Sequence, residues 1–360
     1  MKEKIMLFFK MVRPQKILKV FSIFKKEGID GVKYHFYLIR DRLKGLNRNC
    51  MKEYDISPVA ERKSGKLMQG EYPLLLFREY TQPVVSILIP VYNQFEYTYQ
   101  CLKHMKKYEA NIPYEIIVGD DCSSDMTVEL EKIVKGIKVI HNEVNHQYLN
   151  NCNRMSKEAR GKYIVFLNND TQVQKNWLGA LVDLMESDQT VGLAGSKMIY
   201  PNGLAQEAGG IVWKNALILQ FGNGRQPNEE ELNIMREADY ISGASIIIRK
   251  DLWDKIGGFD KQFSPAYYED VDLAFQVRKQ GYKVVYQPES EVVHFGGTTE
   301  GTNELTKMLI EENRQKFYSK WKEVLERQHY DFSQYSKLMK GNKSFVHAGL
   351  ANSAQAKNES

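Results

Sequence analysis

From Pro83 onward, short apolar runs alternate with stretches of helical spacing. Val84–Ile89, Tyr114–Val118, Lys138–Ile140 and Tyr163–Leu167 read as strands covered on both faces, because they lack the polar alternation of a strand with one wet side. Between them, apolar residues recur at helical intervals near Tyr97–Lys107, Thr127–Val134 and Leu149–Ala159. This order predicts an α/β fold with a mainly parallel central sheet flanked by helices. A helix at Trp177–Glu186 and a strand at Val191–Ala194 continue it. The regularity loosens over the glycine-rich stretch 203–224, then resumes with strands at Ala244–Ile248 and Lys283–Tyr286 around a helix at Val271–Lys279. A last amphipathic helix is predicted over 304–325, with Leu305, Met308, Leu309, Phe317 and Trp321 as its apolar positions.

The chain before Pro83 is patterned differently. Ile17, Leu18, Phe21 and Phe24, then Val32, Phe36, Ile39 and Leu43, fall at helical spacing with lysines and arginines between them, which predicts two short basic helices broken near Pro14 and Gly28. Residues 1–50 hold 13 Lys and Arg against 4 Asp and Glu, while the rest of the chain holds 37 against 41. Two readings of this arm stay open: packing on the main domain, or reversible attachment to an anionic membrane surface. Nucleic acid is not an expected partner, since no recognition motif accompanies the charge. The expected division is an arm and linker over 1–80, the α/β domain over 81–300, a helical extension over 301–345 and a loose polar tail over 346–360.

Composition narrows the class. With 42% hydrophobic and 26% charged residues in 360, the chain reads as globular. No apolar run reaches the roughly 18 residues of a spanning helix, and Ile5–Phe9 is too short for a signal peptide. Cys50, Cys101, Cys122 and Cys152 form no paired spacing, so neither a disulfide framework nor a zinc site is expected and the cytoplasm is the expected compartment.

Ligands of open parallel sheets bind beyond the carboxyl ends of the strands. Here those ends read Pro90-Val91-Tyr92-Asn93, Asp120-Asp121-Cys122-Ser123-Ser124-Asp125 and Asn168-Asn169-Asp170-Thr171. Each loop alone also fits ordinary turn and capping chemistry, and Asp125 reads as a helix cap. Together they place carboxylates and amides on one edge. Neither GxGxxG nor GxxxxGK[ST] is present, so nucleotide phosphates need another counter-charge, which a divalent cation at Asp170 would supply.

These motifs resemble the inverting family 2 glycosyltransferases of GT-A fold. The likeness rests on Val85–Asn93, Asp120–Asp125, Ala159-Arg160-Gly161 and Phe166–Asp170, then Ser242-Gly243-Ala244, Gly257-Gly258-Phe259-Asp260, Tyr268–Leu273 and Val293–Gly297, in the family's order over roughly 83–300. It is most similar to the bacterial rhamnosyltransferase-like branch that builds surface polysaccharide. The resemblance implies a UDP- or dTDP-sugar donor, a saccharide acceptor that is polyprenyl-linked on the membrane reading, and Mn2+ or Mg2+ as cofactor. It implies Asp120 as acceptor of the pyrimidine N–H, with Pro90 and Tyr92 lining the base pocket and Asn93, Asn153, Asn168, Asn169, Gly243 and Ala244 completing the nucleotide-sugar site. Asp170 and His294 are implied as metal ligands, Asp270 as catalytic base, and Glu269 as its neighbour in the catalytic pair. Asn168 departs from the family's first acid and brings no charge. The rival reading is a non-catalytic nucleotide-sugar-binding partner in a polysaccharide assembly complex, and the retained Asp170, Asp270 and His294 argue against it.

Overall fold

The computed structural model describes residues 52–59, 72–296 and 304–331. The expected helices of residues 1–50, Gly297 and the tail after 346 lie outside these residues. In chain order the elements are β1 Leu75–Leu76, β2 Val85–Val91, α1 Phe95–Lys107, β3 Tyr114–Asp120, β4 Val134–Lys135, β5 Lys138–His141, α2 Gln147–Met155, β6 Tyr163–Leu167, β7 Thr171–Val173, α3 Trp177–Ser187 and β8 Val191–Ile199. There follow β9 Ala205–Glu207, β10 Gly210–Val212, β11 Ile218–Gln220, β12 Arg236–Glu237, β13 Ser245–Arg249, α4 Lys250–Ile256, α5 Glu269–Lys279, β14 Lys283–His294 and α6 Glu304–Gln328.

The main sheet runs β12-β14-β8-β13-β6-β2-β3-β5, with β7 paired to β14 and β9 to β8. Strands β6, β2, β3 and β5 are parallel neighbours, as the pattern of apolar runs predicts. The other half is mixed: β14 runs parallel to β8, while β13 lies antiparallel to both β6 and β8. The reason is where the chain enters β13: Ser245 pairs with Leu167, so the segment before β13 sits at the edge where β6 leaves the sheet. Gly243 and Ala244 are thereby brought to the carboxyl edge from the amino end of a strand.

Both faces are covered, and the period of two divides the core. In β6, Tyr163, Val165 and Leu167 join α1 and α3 on one side. Ile164 and Phe166 join α2, α4, α5 and α6 on the other. Phe166 packs on Trp253 and Phe259 with ring centroids 4.7 and 5.2 Å away. The predicted helix over Thr127–Val134 is instead a 3-10 turn, Met126–Lys132, followed by β4 pairing with β1. Gly136 ends that segment at a φ of 76°, and a Cβ there would stand 2.1 Å from the carbonyl oxygen of Phe77.

Two outer segments brace the carboxyl edge. The side chains of Gln172 and Gln174 stand in for backbone: Gln172 accepts from Ser57 N–H and donates to Ser57 O, and Gln174 does the same for Asp55. Residues 52–59 therefore strap the strand that follows Asp170. On the opposite side, α6 buries Phe317, Trp321 and Leu325 and sends Asn313 Nδ2 to the carbonyls of Phe263, Ala266 and Tyr267 at 2.9–3.0 Å. Asp272 of α5 accepts from Trp321 Nε1 at 2.7 Å and Lys320 Nζ at 2.8 Å, which fastens the two helices together. No helix among the described residues is long and apolar enough to cross a membrane.

Asn313→Ala leaves three carbonyls without their shared donor, so thermal unfolding should show a loss of about 1–3 kcal/mol. A melting curve unchanged from the wild type would mean that α6 does not brace this loop.

Candidate active site

Residues far apart in the sequence meet at the carboxyl edge. After β2, Asn93 takes a positive φ of 55°. Its N–H donates to Ser123 Oγ at 2.7 Å and its Oδ1 accepts from Ser124 N–H at 2.8 Å, so the first and second loops form one rim. Asp120, the last residue of β3, is 2% exposed. Its Oδ1 accepts from Ser123 N–H at 3.0 Å and its Oδ2 from His141 Nδ1 at 2.8 Å. Burial opposes the charge on His141, but hydrogen bonds to Asp120 and Glu131 outweigh it and hold its pKa above the ordinary imidazole value. Asp121 is used inside the fold, accepting from His146 N–H and Asn142 Nδ2. Asp125 is a cap, accepting from Thr127 N–H and from Phe95 N–H at the start of α1. Pro90 is buried in β2, while Tyr92 is 42% exposed beside it.

A second cluster forms where β6 and β14 end. The backbone oxygen of Asp170 accepts from Phe295 N–H, and its Oδ2 accepts from Gly296 N–H at 3.1 Å. Its Oδ1 lies 3.3 Å from His294 Nε2. The register places these residues together, since His294 pairs with Thr171, the neighbour of Asp170. Burial opposes protonation of His294, but the adjacent Asp170 carboxylate raises its pKa above the ordinary value. Asn168 donates its N–H to Ala244 O at 2.9 Å, joining this loop to the start of β13. Its Oδ1 is buried and accepts no hydrogen bond from the described residues.

The third cluster lies at the start of α5. Tyr267 and Tyr268, at φ 75° and 71°, turn the chain so that Glu269 and Asp270 open the helix, where its macrodipole favours negative charge. Asp270 is partly exposed but closely surrounded by protein. Its Oδ2 accepts from Gly243 N–H at 2.9 Å and its Oδ1 from Val271 N–H at 2.8 Å. Desolvation raises its pKa above the usual carboxylate value against these hydrogen bonds. Gly243 faces this group directly, since a Cβ there would meet Asp270 Cβ at 3.4 Å and Tyr148 Oη at 3.5 Å.

Not every expected residue joins these clusters. Asn153 gives both halves of its amide to the backbone of Phe259, at 2.9 Å each, so it locks the turn after α4. Asn169 donates to Thr98 Oγ1 at 3.0 Å and holds α1. The whole Asn153 amide and the Asn169 Nδ2 are thus engaged with the fold. Conversely, the sequence reading passes over His141, Gln206 and Glu207. Glu207 is fully buried, accepting from Ser242 N–H at 2.9 Å and from the Tyr240 hydroxyl at 3.3 Å. Burial pushes its carboxyl up to about 7, against the Ser242 hydrogen bond and with the Asp270 charge adding to the rise. It lies in the glycine-rich stretch, on a three-residue strand too short to show a period.

Among the described residues no group of three His, Cys, Asp or Glu converges as a metal site. The pair Asp170 and His294 still fits a hard divalent cation. Two adjacent ligands about 2.1 Å from an octahedral ion stand about 3 Å apart, and such ions take their remaining ligands from water and substrate phosphates. The 3.3 Å separation matches that arrangement.

The glycosyl transferase family 2 profile matches residues 86–256. The chain is 24% identical over 255 residues to the uncharacterized protein y4gI of Sinorhizobium fredii, covering 67% of this chain and 28% of that protein. It is 23% identical over 232 residues to the N-acetylglucosaminyl-diphospho-decaprenol L-rhamnosyltransferase of Mycobacterium tuberculosis, covering 55% of this chain and 73% of that enzyme. Among solved structures it is similar to GalNAc-T7 with UDP, GalNAc and Mn2+, at a TM-score of 0.50 and 15% identity, over 71% of this chain and 57% of that one, a likeness of fold alone. The chain thus spans under a third of the length of y4gI and little more than half of that structure.

Glu207 sets a pH dependence of stability. Its carboxyl goes from a value of 4.5 when unfolded to about 7 when folded, so the folded state binds the extra proton between those values. Its stabilising contribution is complete below about pH 4.5 and is lost as pH rises through about 7, a change of about 3 kcal/mol. Melting curves of Glu207→Gln and wild type should therefore diverge from pH 5 to pH 8, with the variant gaining relative stability at the higher pH. Parallel curves would contradict the assignment.

Proposed function

We propose that this chain, whose residues 86–256 match the glycosyl transferase family 2 profile, transfers a sugar, with inversion, from a UDP- or dTDP-sugar to a hydroxyl of a saccharide acceptor. The observation that carries the reading is the placement of Asp270: a carboxylate held by Gly243 N–H at a helix start, with its pKa raised by desolvation yet open to solvent. A raised pKa brings a carboxylate nearer the operating pH at which a general base works well. As the acceptor oxygen bonds to the anomeric carbon, Asp270 takes its proton, and the carbon–oxygen bond to the nucleoside diphosphate breaks with its electron pair going to the phosphate. Asp170 and His294 would hold Mn2+ or Mg2+, and such a cation offsets the charge of the leaving diphosphate when bound. Asp120 would accept the ring N–H of the pyrimidine, with Tyr92 beside the base and half-exposed His141 the group that yields its hydrogen bond.

The decaprenol-linked acceptor named for the Mycobacterium tuberculosis relative supports a lipid-linked saccharide as the acceptor class. The basic residues of segment 1–50 suit work at an anionic cytoplasmic membrane face, where each Lys or Arg near the surface contributes about 1 kcal/mol.

Two carboxylates with different tasks should fail differently. Asp170→Asn should abolish manganese-dependent UDP binding in calorimetry. Asp270→Asn should bind UDP like the wild type but turn over about 10²-fold more slowly, as for a base used only in the transition state. Wild-type turnover by Asp270→Asn at saturating acceptor would remove Asp270 from the role.

Asp120 also predicts base selectivity. Cytosine presents a lone pair where uracil and thymine present N–H, which leaves the buried carboxylate facing an acceptor at a cost of about 1–3 kcal/mol. UDP should therefore bind about 5- to 150-fold more tightly than CDP, and equal affinities would overturn the assignment.

A further inference from the structure

Gln206 and Glu207 are consecutive residues of β9, so their side chains leave opposite faces of the strand. The Glu207 face is closed by Ser242 and Tyr240. The Gln206 face meets the second cluster: Gln206 Oε1 accepts from His294 Nδ1 at 3.1 Å, and Nε2 of the same ring stands 3.3 Å from Asp170 Oδ1. An amide oxygen accepts and cannot donate, so this contact commits a ring hydrogen to Nδ1. In the neutral ring the lone pair then lies on Nε2, facing Asp170, and this is the form that ligates a divalent cation.

We infer that Gln206 is a positioning residue, fixing the tautomer and ring plane of His294 for cation binding beside Asp170. The inference rests on the reading of Asp170 and His294 as cation ligands and adds the group that makes the histidine fit for it. The support for Gln206 is itself rigid. β9 is paired to β8 through Met198 with Glu207 and Ile199 with Ala205, and the Gln206 carbonyl accepts from Asn223 Nδ2 at 3.1 Å. The 294–296 turn closes over the contact, since a Cβ on Gly296 would lie 3.8 Å from both Gln206 Nε2 and His294 Cε1. A side chain in a three-residue strand thus orients a ligand that arrives 88 residues later in the chain.

Calorimetric titration of the full chain with UDP, with and without Mn2+, tests this on two variants. Gln206→Met keeps the length but loses the acceptor, and Gln206→Glu keeps an acceptor. Gln206→Met should weaken manganese-dependent UDP binding about 10- to 100-fold, with metal-free UDP binding and the melting temperature unchanged, and Gln206→Glu should retain wild-type manganese dependence. Wild-type affinity in Gln206→Met would overturn the inference while leaving the cation reading intact. If UDP binding by the wild type ignores Mn2+, the cation reading falls and the inference with it. Should Gln206→Met fail to fold, ¹⁵N ring resonances of neutral His294 in the wild type decide: hydrogen on Nδ1 is expected, and hydrogen on Nε2 overturns the inference.

Discussion

A carboxylate withdrawn from water must be met by hydrogen-bond donors, or folding bears the full cost of its desolvation. This protein withdraws many at one sheet edge: Asp120, Asp121, Asp170, Glu207, Glu269 and Asp272 are each 8% exposed or less. Much of the edge is shaped by that demand. The rim between the first two loops closes around Asp120 and Asn93, the turn after β14 closes around Asp170, and the segment before β13 divides consecutive N–H groups between Glu207 and Asp270. Because the donors are backbone amides and fixed rings, the carboxylates are oriented before any ligand arrives, which is what preorganised electrostatics requires.

The reversed strand β13 makes this arrangement reachable. A purely parallel sheet brings only strand carboxyl ends to the binding edge, whereas β13 runs the other way and delivers Ser242, Gly243 and Ala244 from its amino end. Asn168 then bonds Ala244, and Gly243 bonds Asp270. The same edge is held from outside by Asn313 of α6 behind the Tyr267–Asp270 turn and by the Gln172 and Gln174 strap behind β7. Of the acids opening α5, Asp272 is committed to Trp321 and Lys320 and Glu269 is buried, while Asp270 is partly exposed.

The strands of the parallel half were legible because a strand buried on both faces shows as an unbroken apolar run, as in Tyr163–Leu167. The reversal at β13 was not, since Ser245–Arg249 is equally apolar whichever way it runs. Asp120, Asp170 and Asp270 stand out in the sequence because each follows a strand or opens a helix with a recognisable pattern. Gln206 and Glu207 do not, because their strand has three residues and their partners lie at positions 294 and 242. The contacts of Asn153 and Asn169 were not legible, because an amide in a polar loop looks the same in sequence whatever it meets, and here Asn153 bonds Phe259 and Asn169 Nδ2 bonds Thr98.

On the proposed function, the Asp120 rim, the Asp170–His294 pair and Asp270 form one donor site. Anomalous diffraction at the manganese edge from crystals holding Mn2+ and UDP tests it most directly. One manganese peak is expected within coordination distance of Asp170 and His294 Nε2, touching the diphosphate, with the uracil ring N–H directed at Asp120. Manganese and diphosphate bound away from Asp170, or a uracil ring placed elsewhere than against Asp120, would contradict it.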